Sequence, residues 1–135
     1  MRIQSRRTSS RKSGAKPGSY PSLRRVGDAA APLIDVIFVH GLGGDSRSTW
    51  QARSGLDSML DWIAEDCPAA QVWSMDYPAT VTRWTDRGRG MPLPRRARGV
   101  IELLLQHGIG KRGLVFVCHS LGGLVVKQIL RHSKN

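Results

Sequence analysis

Ser120 closes the run Val117-Cys118-His119-Ser120 and is followed at once by Leu121-Gly122-Gly123. A serine hydroxyl can attack an acyl carbon once a base takes its proton. Leu114, Val115, Phe116 and Val117 before it have the composition of a strand buried on both faces. From Leu121 the apolar spacing turns helical. A serine at the tip of so sharp a strand-to-helix turn needs small residues two places before and two after it. Gly122 meets that need, and Gly123 lets the helix lie close to the sheet. Cys118 stands where a glycine is usual, and its thiol is small enough to fit. The plain alternative is a serine that merely caps the helix, a position serine favours.

A second stretch favours the chemical reading. Residues 33–39, Leu-Ile-Asp-Val-Ile-Phe-Val, read as another strand that runs straight into His40-Gly41-Leu42-Gly43-Gly44-Asp45. Glycines in such a loop let a backbone N–H face a substrate oxygen instead of a neighbouring carbonyl. Leu42 N–H is the expected first donor to an oxyanion. Leu121 N–H, at the positive end of a helix, is the expected second. His40, Gly41, Gly43 and His119 are expected to line the same place.

The two motifs, Val36-Ile37-Phe38-Val39-His40-Gly41-Leu42-Gly43-Gly44 and the ten residues from Cys118 to Lys127, resemble a lipase-like α/β-hydrolase. Within that superfamily the chain is similar to the serine-active-site-containing proteins. Asp45 with Trp50, and the segment from Trp73 to Tyr77, share in the likeness, which runs from about residue 33 to the last. The resemblance implies an α/β-hydrolase fold, a serine nucleophile, and esters or lipid acyl groups as substrate. For some members it also implies a place at mitochondrial or endoplasmic-reticulum membranes.

A serine hydrolase also needs a histidine base and an acid that orients it, and in this fold both follow the nucleophile. Fifteen residues follow Ser120, and they contain no Asp or Glu. Of the histidines, His132 is expected about 18 Å away along the departing helix, and His107 ends a helix that descends to the opposite edge. His119 belongs to the elbow, where the side chain normally points away from the serine. His40 is nearest, with the expected task of orienting its own loop. Asp45 and Asp76 lie at the correct edge but precede the nucleophile, which suits capping turns. The expectation is the first part of a hydrolase domain, nearly inactive as it stands. Losing the triad base costs on the order of a million-fold in rate.

The elements that position these groups follow from periodicity. Leu56, Met59, Leu60, Ile63 and Ala64 form a helical stripe stopped by Cys67-Pro68. Residues 71–76 alternate as a strand, ended by Asp76-Tyr77-Pro78. Residues 79–93 form a long polar connection that carries Arg83, Arg87 and Arg89. It would hang over the ligand-binding edge of the sheet. There Trp84 and Met91 would line an acyl site, or Trp84 would only pin the loop. Pro94 suits the first turn of a helix. Ala97, Val100, Ile101, Leu104 and Leu105 are its buried stripe, and Gly108 ends it. Leu124, Val125, Ile129 and Leu130 are the expected buried face of the last helix, from Leu121 to about His132. The expected architecture is α/β: a partial α/β-hydrolase fold, with a three-stranded parallel sheet and helices on both faces. Its first strand lies in the middle.

Composition adds a tail. Residues 1–31 hold eight Lys or Arg against Asp28 alone, so +7 of the total charge of +11 lies there. The tail is expected to be disordered, with residues 32–135 as the hydrolase portion. It is a solvated arm, a contact for an anionic membrane surface, or an Arg-rich presequence. Nucleic acid is not an expected partner. Cys67 and Cys118 give neither a disulfide framework nor metal-ligand spacing. Both fit an intracellular protein, cytoplasmic or associated with a mitochondrial or endoplasmic-reticulum membrane. No metal and no cofactor are expected. The 114–117 strand is expected to leave an open edge through which copies associate. Two other classes compete: a non-catalytic docking module on the same scaffold, and a nucleotide-binding Rossmann protein using Gly41-Leu42-Gly43. The latter is weak, because Ser46 occupies the third glycine position and no P-loop lysine is present.

Overall fold

The computed structural model describes residues 20–79 and 93–134. Its order is β1 (Ser22–Val26), β2 (Ile34–Val39), a 3-10 turn (Ser48–Trp50), α1 (Met59–Asp66), β3 (Ala70–Asp76), α2 (Leu93–Gln106), β4 (Gly113–Cys118) and α3 (Leu121–His132). The sheet order is β1-β3-β2-β4. β3, β2 and β4 are parallel, as expected, with β2 in the middle.

The fourth strand corrects the reading of the tail. Residues 22–26 pair antiparallel with β3, Arg24 opposite Ser74 and Val26 opposite Val72. Their two arginines hid the strand. Long basic side chains can lie along apolar surface and keep their heads wet. Here the Arg25 guanidinium sits 5.8 Å from the centre of the Trp73 ring, and Arg24 Nη2 donates to Ser46 O at 3.2 Å. Basic residues on an outer strand also discourage unwanted pairing. Residues 1–19, the rest of the expected tail, lie outside the described residues.

Alternation in β2 and β3 builds two cores. Ile37, Val39, Trp73 and Met75 face one side, where they meet Ala97, Val100 and Leu104 of α2 and Val125, Val126 and Ile129 of α3. Val36, Phe38, Ala70 and Val72 face the other, against Val26, Trp50 and Leu60. Helices therefore cover both faces of the sheet. Phe38 and Trp50 meet edge to face at 5.0 Å between ring centres, a favoured aromatic geometry.

Several expected core residues are not in the core. Leu56 precedes α1 and is exposed, because that helix begins only at Met59, after the Ser58 cap. Leu105, Leu124 and Leu130 are exposed as well, while Val126 is buried in their stead. The apolar stripe of each helix is narrower than the sequence suggests. Cys118 is exposed at the end of the outer strand β4.

The N-terminal half of β2 carries a buried carboxylate. Asp35 is fully buried and receives Arg112 Nε and Nη2 at 2.9 and 3.0 Å, with Trp73 Nε1 at 2.9 Å. This fork ties the start of β2 to the turn before β4 and to β3. It lies opposite the ends from which the two motif loops emerge. The connection from β3 to β4 passes over β2, so chain direction along the sheet reverses between β2 and β4. Such a switch point opens a crevice at the C-terminal strand ends, where ligands of α/β sheets bind.

Candidate active site

β2 and β4 run in register to their ends, Val39 opposite Cys118. His40–Gly44 and His119–Gly122 therefore leave the sheet side by side. His119 N donates to Val39 O at 3.0 Å and ties the two exits together. Ser120 follows with φ 52° and ψ −120°, the only non-glycine residue with positive φ among those described. A side chain held in that conformation costs of order 1–3 kcal/mol and persists only where its surroundings enforce it. Ser120 precedes α3 in the capping position, yet its hydroxyl makes no capping bond, and the side chain is exposed. Ordinary helix capping does not account for it.

Two glycines let the loops close on each other. A Cβ on Gly41 would lie 2.9 Å from His119 Nδ1, His119 O and Ser120 Cβ. The backbone of the first loop is thus in contact with the elbow, and His119 packs beside it. A Cβ on Gly122 would lie 2.4 Å from Val39 O and 2.7 Å from His40 O. The first turn of α3 rests directly on the end of β2. Gly43, with φ 70°, is anchored by its N–H to Ala79 O at 2.8 Å. Leu42 is partly exposed beyond the loop. Among the described residues, neither Leu42 N–H nor Leu121 N–H has a protein acceptor. Trp84 and Met91, expected to line an acyl site, lie outside the described residues, as do Arg83, Arg87 and Arg89.

His40 is fully buried and stacks on Tyr77 with ring centres 4.4 Å apart. Its Nδ1 lies 2.9 Å from Gly41 O and its Nε2 3.2 Å from Asp76 Oδ1. Tyr77 Oη donates to His40 O at 2.6 Å, and Ser46 Oγ donates to Asp76 Oδ2 at 3.3 Å. His40 is therefore bound within its loop. The partnership with Asp76 was missed by sequence reasoning. A signal was present: in parallel strands paired as Val39 with Met75, the next residues are His40 and Asp76.

Asp45 caps the 3-10 turn. Partial burial pushes its carboxyl up, but the Ser48 hydroxyl and the N–H groups of Ser48 and Arg47 outweigh this and hold it below the usual range. Burial pushes the Cys118 thiol up despite its exposed surface, so it stays protonated and is a poor rival to the neighbouring serine. His107 Nδ1 is paired with Leu103 O at 2.9 Å and the ring rests on Trp73, away from these loops. Among the described residues no cluster of three or more His, Cys, Asp or Glu could hold a metal ion. No described helix is long and apolar enough to cross a membrane.

Comparison with known proteins identifies the family. Residues 36–132 match the model of the alpha/beta hydrolase family. The chain is 30% identical over 117 residues to Protein SERAC1 of Homo sapiens, covering 71% of this chain and 17% of that protein. Protein SERAC1 of Bos taurus is 31% identical over the same length, with the same coverage. That of Danio rerio is 29% identical over 116 residues, covering 71% of this chain and 18% of the relative. The chain thus spans less than a fifth of the length of these relatives. No solved structure matches the chain significantly. With its family match spanning both loops and the strands that carry them, the chain belongs to the alpha/beta hydrolase family.

Proposed function

We propose that these residues form the nucleophile and oxyanion half of a serine hydrolase acting on carboxylic esters, with lipid acyl groups as the substrate class. Ser120 Oγ attacks the acyl carbon, a base takes its proton, and the carbonyl oxygen becomes an oxyanion. Leu42 N–H and Leu121 N–H receive that charge, the latter aided by the helix end. Collapse of the tetrahedral adduct expels the alcohol and leaves an acyl-serine for water to cleave. The observation that carries the reading is the contact of Gly41 with His119 and Ser120, at a serine held at positive φ with its hydroxyl uncommitted. His40, Gly41, Gly43 and His119 shape the loops around the acyl group.

We expect no base among the imidazoles described: His119 belongs to the elbow itself, and His132 ends α3 about three turns beyond Ser120. His40 is committed to Gly41 O and Asp76, and His107 lies elsewhere. A base and its acid would come from sequence beyond these residues, as the extra length of the relatives allows. Prolonged treatment with a fluorophosphonate should give one adduct on Ser120 and none in Ser120→Ala, read by peptide mass spectrometry. Turnover of a short nitrophenyl ester should stay near background, on the order of a million-fold below a complete triad. An adduct elsewhere would refute the site. Ordinary Ser120-dependent turnover would refute the missing base. No adduct at all would leave the scaffold as a non-catalytic docking module.

The outer strand β4 has a second consequence. Leu114 and Val115 are 36% and 45% exposed beside an edge with no strand on its far side among the described residues. An apolar edge of this kind pairs with other chains, and we expect copies to associate through it. Sedimentation should show mass rising with concentration, and Val115→Lys should suppress it. A monomer at all concentrations would contradict this. Docking of the basic N-terminal segment on an anionic membrane, mitochondrial or endoplasmic-reticulum, is proposed from charge alone.

A further inference from the structure

We propose that Tyr77 is a positioning residue for the oxyanion site. It holds His40 at three points, and through His40 it sets the aim of Leu42 N–H and its spacing from Leu121 N–H. This rests on reading those two amides as the oxyanion donors. Tyr77 is well placed for the task. It follows the last residue of β3, and Met75 lies opposite Val39 in the parallel register, so two residues further on Tyr77 reaches the loop that leaves β2. It is buried with Met75 and Val39 in the core that faces α2 and α3.

The first hold is on the main chain. Tyr77 Oη donates to His40 O at 2.6 Å. The first turn of α3 rests on that same oxygen, since a Cβ on Gly122 would lie 2.7 Å from it. Leu121 opens that turn and Ser120 precedes it. A single carbonyl oxygen thus meets both the phenol and the turn that carries the nucleophile and the second donor. Fixing it fixes the end of β2 against the start of α3.

The other two holds are on the imidazole. The Tyr77 ring stacks on it, with centres 4.4 Å apart and planes 14° from parallel. His40 Nδ1 lies 2.9 Å from Gly41 O. A carbonyl oxygen only accepts, so Nδ1 carries the proton. Nε2 is then the accepting nitrogen of a neutral ring, and Tyr77 N–H donates to it at 3.4 Å. Asp76 Oδ1 stands beside the same nitrogen at 3.2 Å, on a side chain that is 42% exposed, so water reaches that carboxylate. Ser46 Oγ donates to its other oxygen at 3.3 Å. With the ring in this tautomer Gly41 O is held twice, by Nδ1–H and by Gly44 N–H at 3.1 Å. Gly41 C=O and Leu42 N–H belong to one planar trans peptide group, so they point in opposite directions. What holds the oxygen therefore aims the N–H.

Tyr77→Phe in the full chain tests this, because it removes the hydroxyl and keeps the ring stack and the backbone N–H. Phosphonylation of Ser120 should slow by about 10- to 100-fold, as for groups misplaced by up to about an ångström. The amide resonances of both Leu42 and Leu121 should move, while those of Val36 and Val115, further back along β2 and β4, stay in place. Val72→Ala, in the core on the opposite face, should lower the urea midpoint at least as much yet leave the labelling rate near that of the wild type. Nitrogen-15 NMR of the wild type should show His40 protonated on Nδ1 and bare on Nε2. A proton on Nε2 would overturn the proposal whether or not any variant folds. An unchanged labelling rate in Tyr77→Phe, or equal slowing in Val72→Ala, would overturn it too. If wild-type Ser120 does not react at all, the hydrolase reading fails instead. The amide shifts and the His40 tautomer would still decide whether Tyr77 sets these loops.

Discussion

Gly122→Ala is expected to cripple the site, although alanine is the better helix former. The new Cβ would lie 2.4 Å from Val39 O, 2.7 Å from His40 O and 3.1 Å from Val39 C. All three are backbone atoms at the end of the central strand, and Val39 O is already held by His119 N–H. No side-chain rotation relieves the clash, so the first turn of α3 must lift. Ser120 and Leu121 N–H lift with it. Overpacking of this kind costs about 1–3 kcal/mol or more, against about 1 kcal/mol of helix propensity in alanine's favour. The net effect is destabilising, and phosphonylation of Ser120 should fall about 100-fold. Gly123→Ala is the control. Its Cβ would meet only Cys118 Cβ at 4.0 Å, so helix propensity wins and the variant should be as stable as the wild type or more so. Urea melts of the two variants, with labelling rates, check the contrast. Equal melts would contradict it.

Arg112→Ala is expected to give the largest loss of stability. It removes two charge-assisted bonds from Asp35, which is fully buried, and leaves that carboxylate with Trp73 Nε1 alone. Asp35 is buried but the Arg112 side chain is 37% exposed, so breaking the pair on one side should cost toward the lower end of the about 3–5 kcal/mol of a buried pair, still a large part of the about 5–15 kcal/mol typical of a domain. Changing both partners, Asp35→Val with Arg112→Met, should recover most of the loss. It would leave Trp73 N–H without its acceptor at about 1–3 kcal/mol. A urea melt decides between them, and a single variant no worse than the double would contradict the assignment.

These two sites also show what a sequence discloses. The elbow and the glycine loop were legible because each is local: a β-branched run, then small residues at fixed offsets. The helices on both faces were legible from period, although only Ala97, Val100 and Leu104 of the α2 stripe became fully buried while Leu105 did not. β1 was not legible. Arg24 and Arg25 make Ser22–Val26 look solvated, and only the Trp73 ring and Ser46 carbonyl that receive them explain the strand. Asp35 was equally silent, since its partner Arg112 lies 77 residues away. The His40–Asp76 pair required strand register, not spacing, to be seen.

The most direct test of convergence at this site is a crystal structure of the protein with Ser120 phosphonylated. The phosphoryl oxygen should lie about 2.7–3.1 Å from both Leu42 N and Leu121 N, the reach of an oxyanion donor. An oxygen turned to solvent, or one bound by neither amide, would contradict the placement of the nucleophile between these two loops.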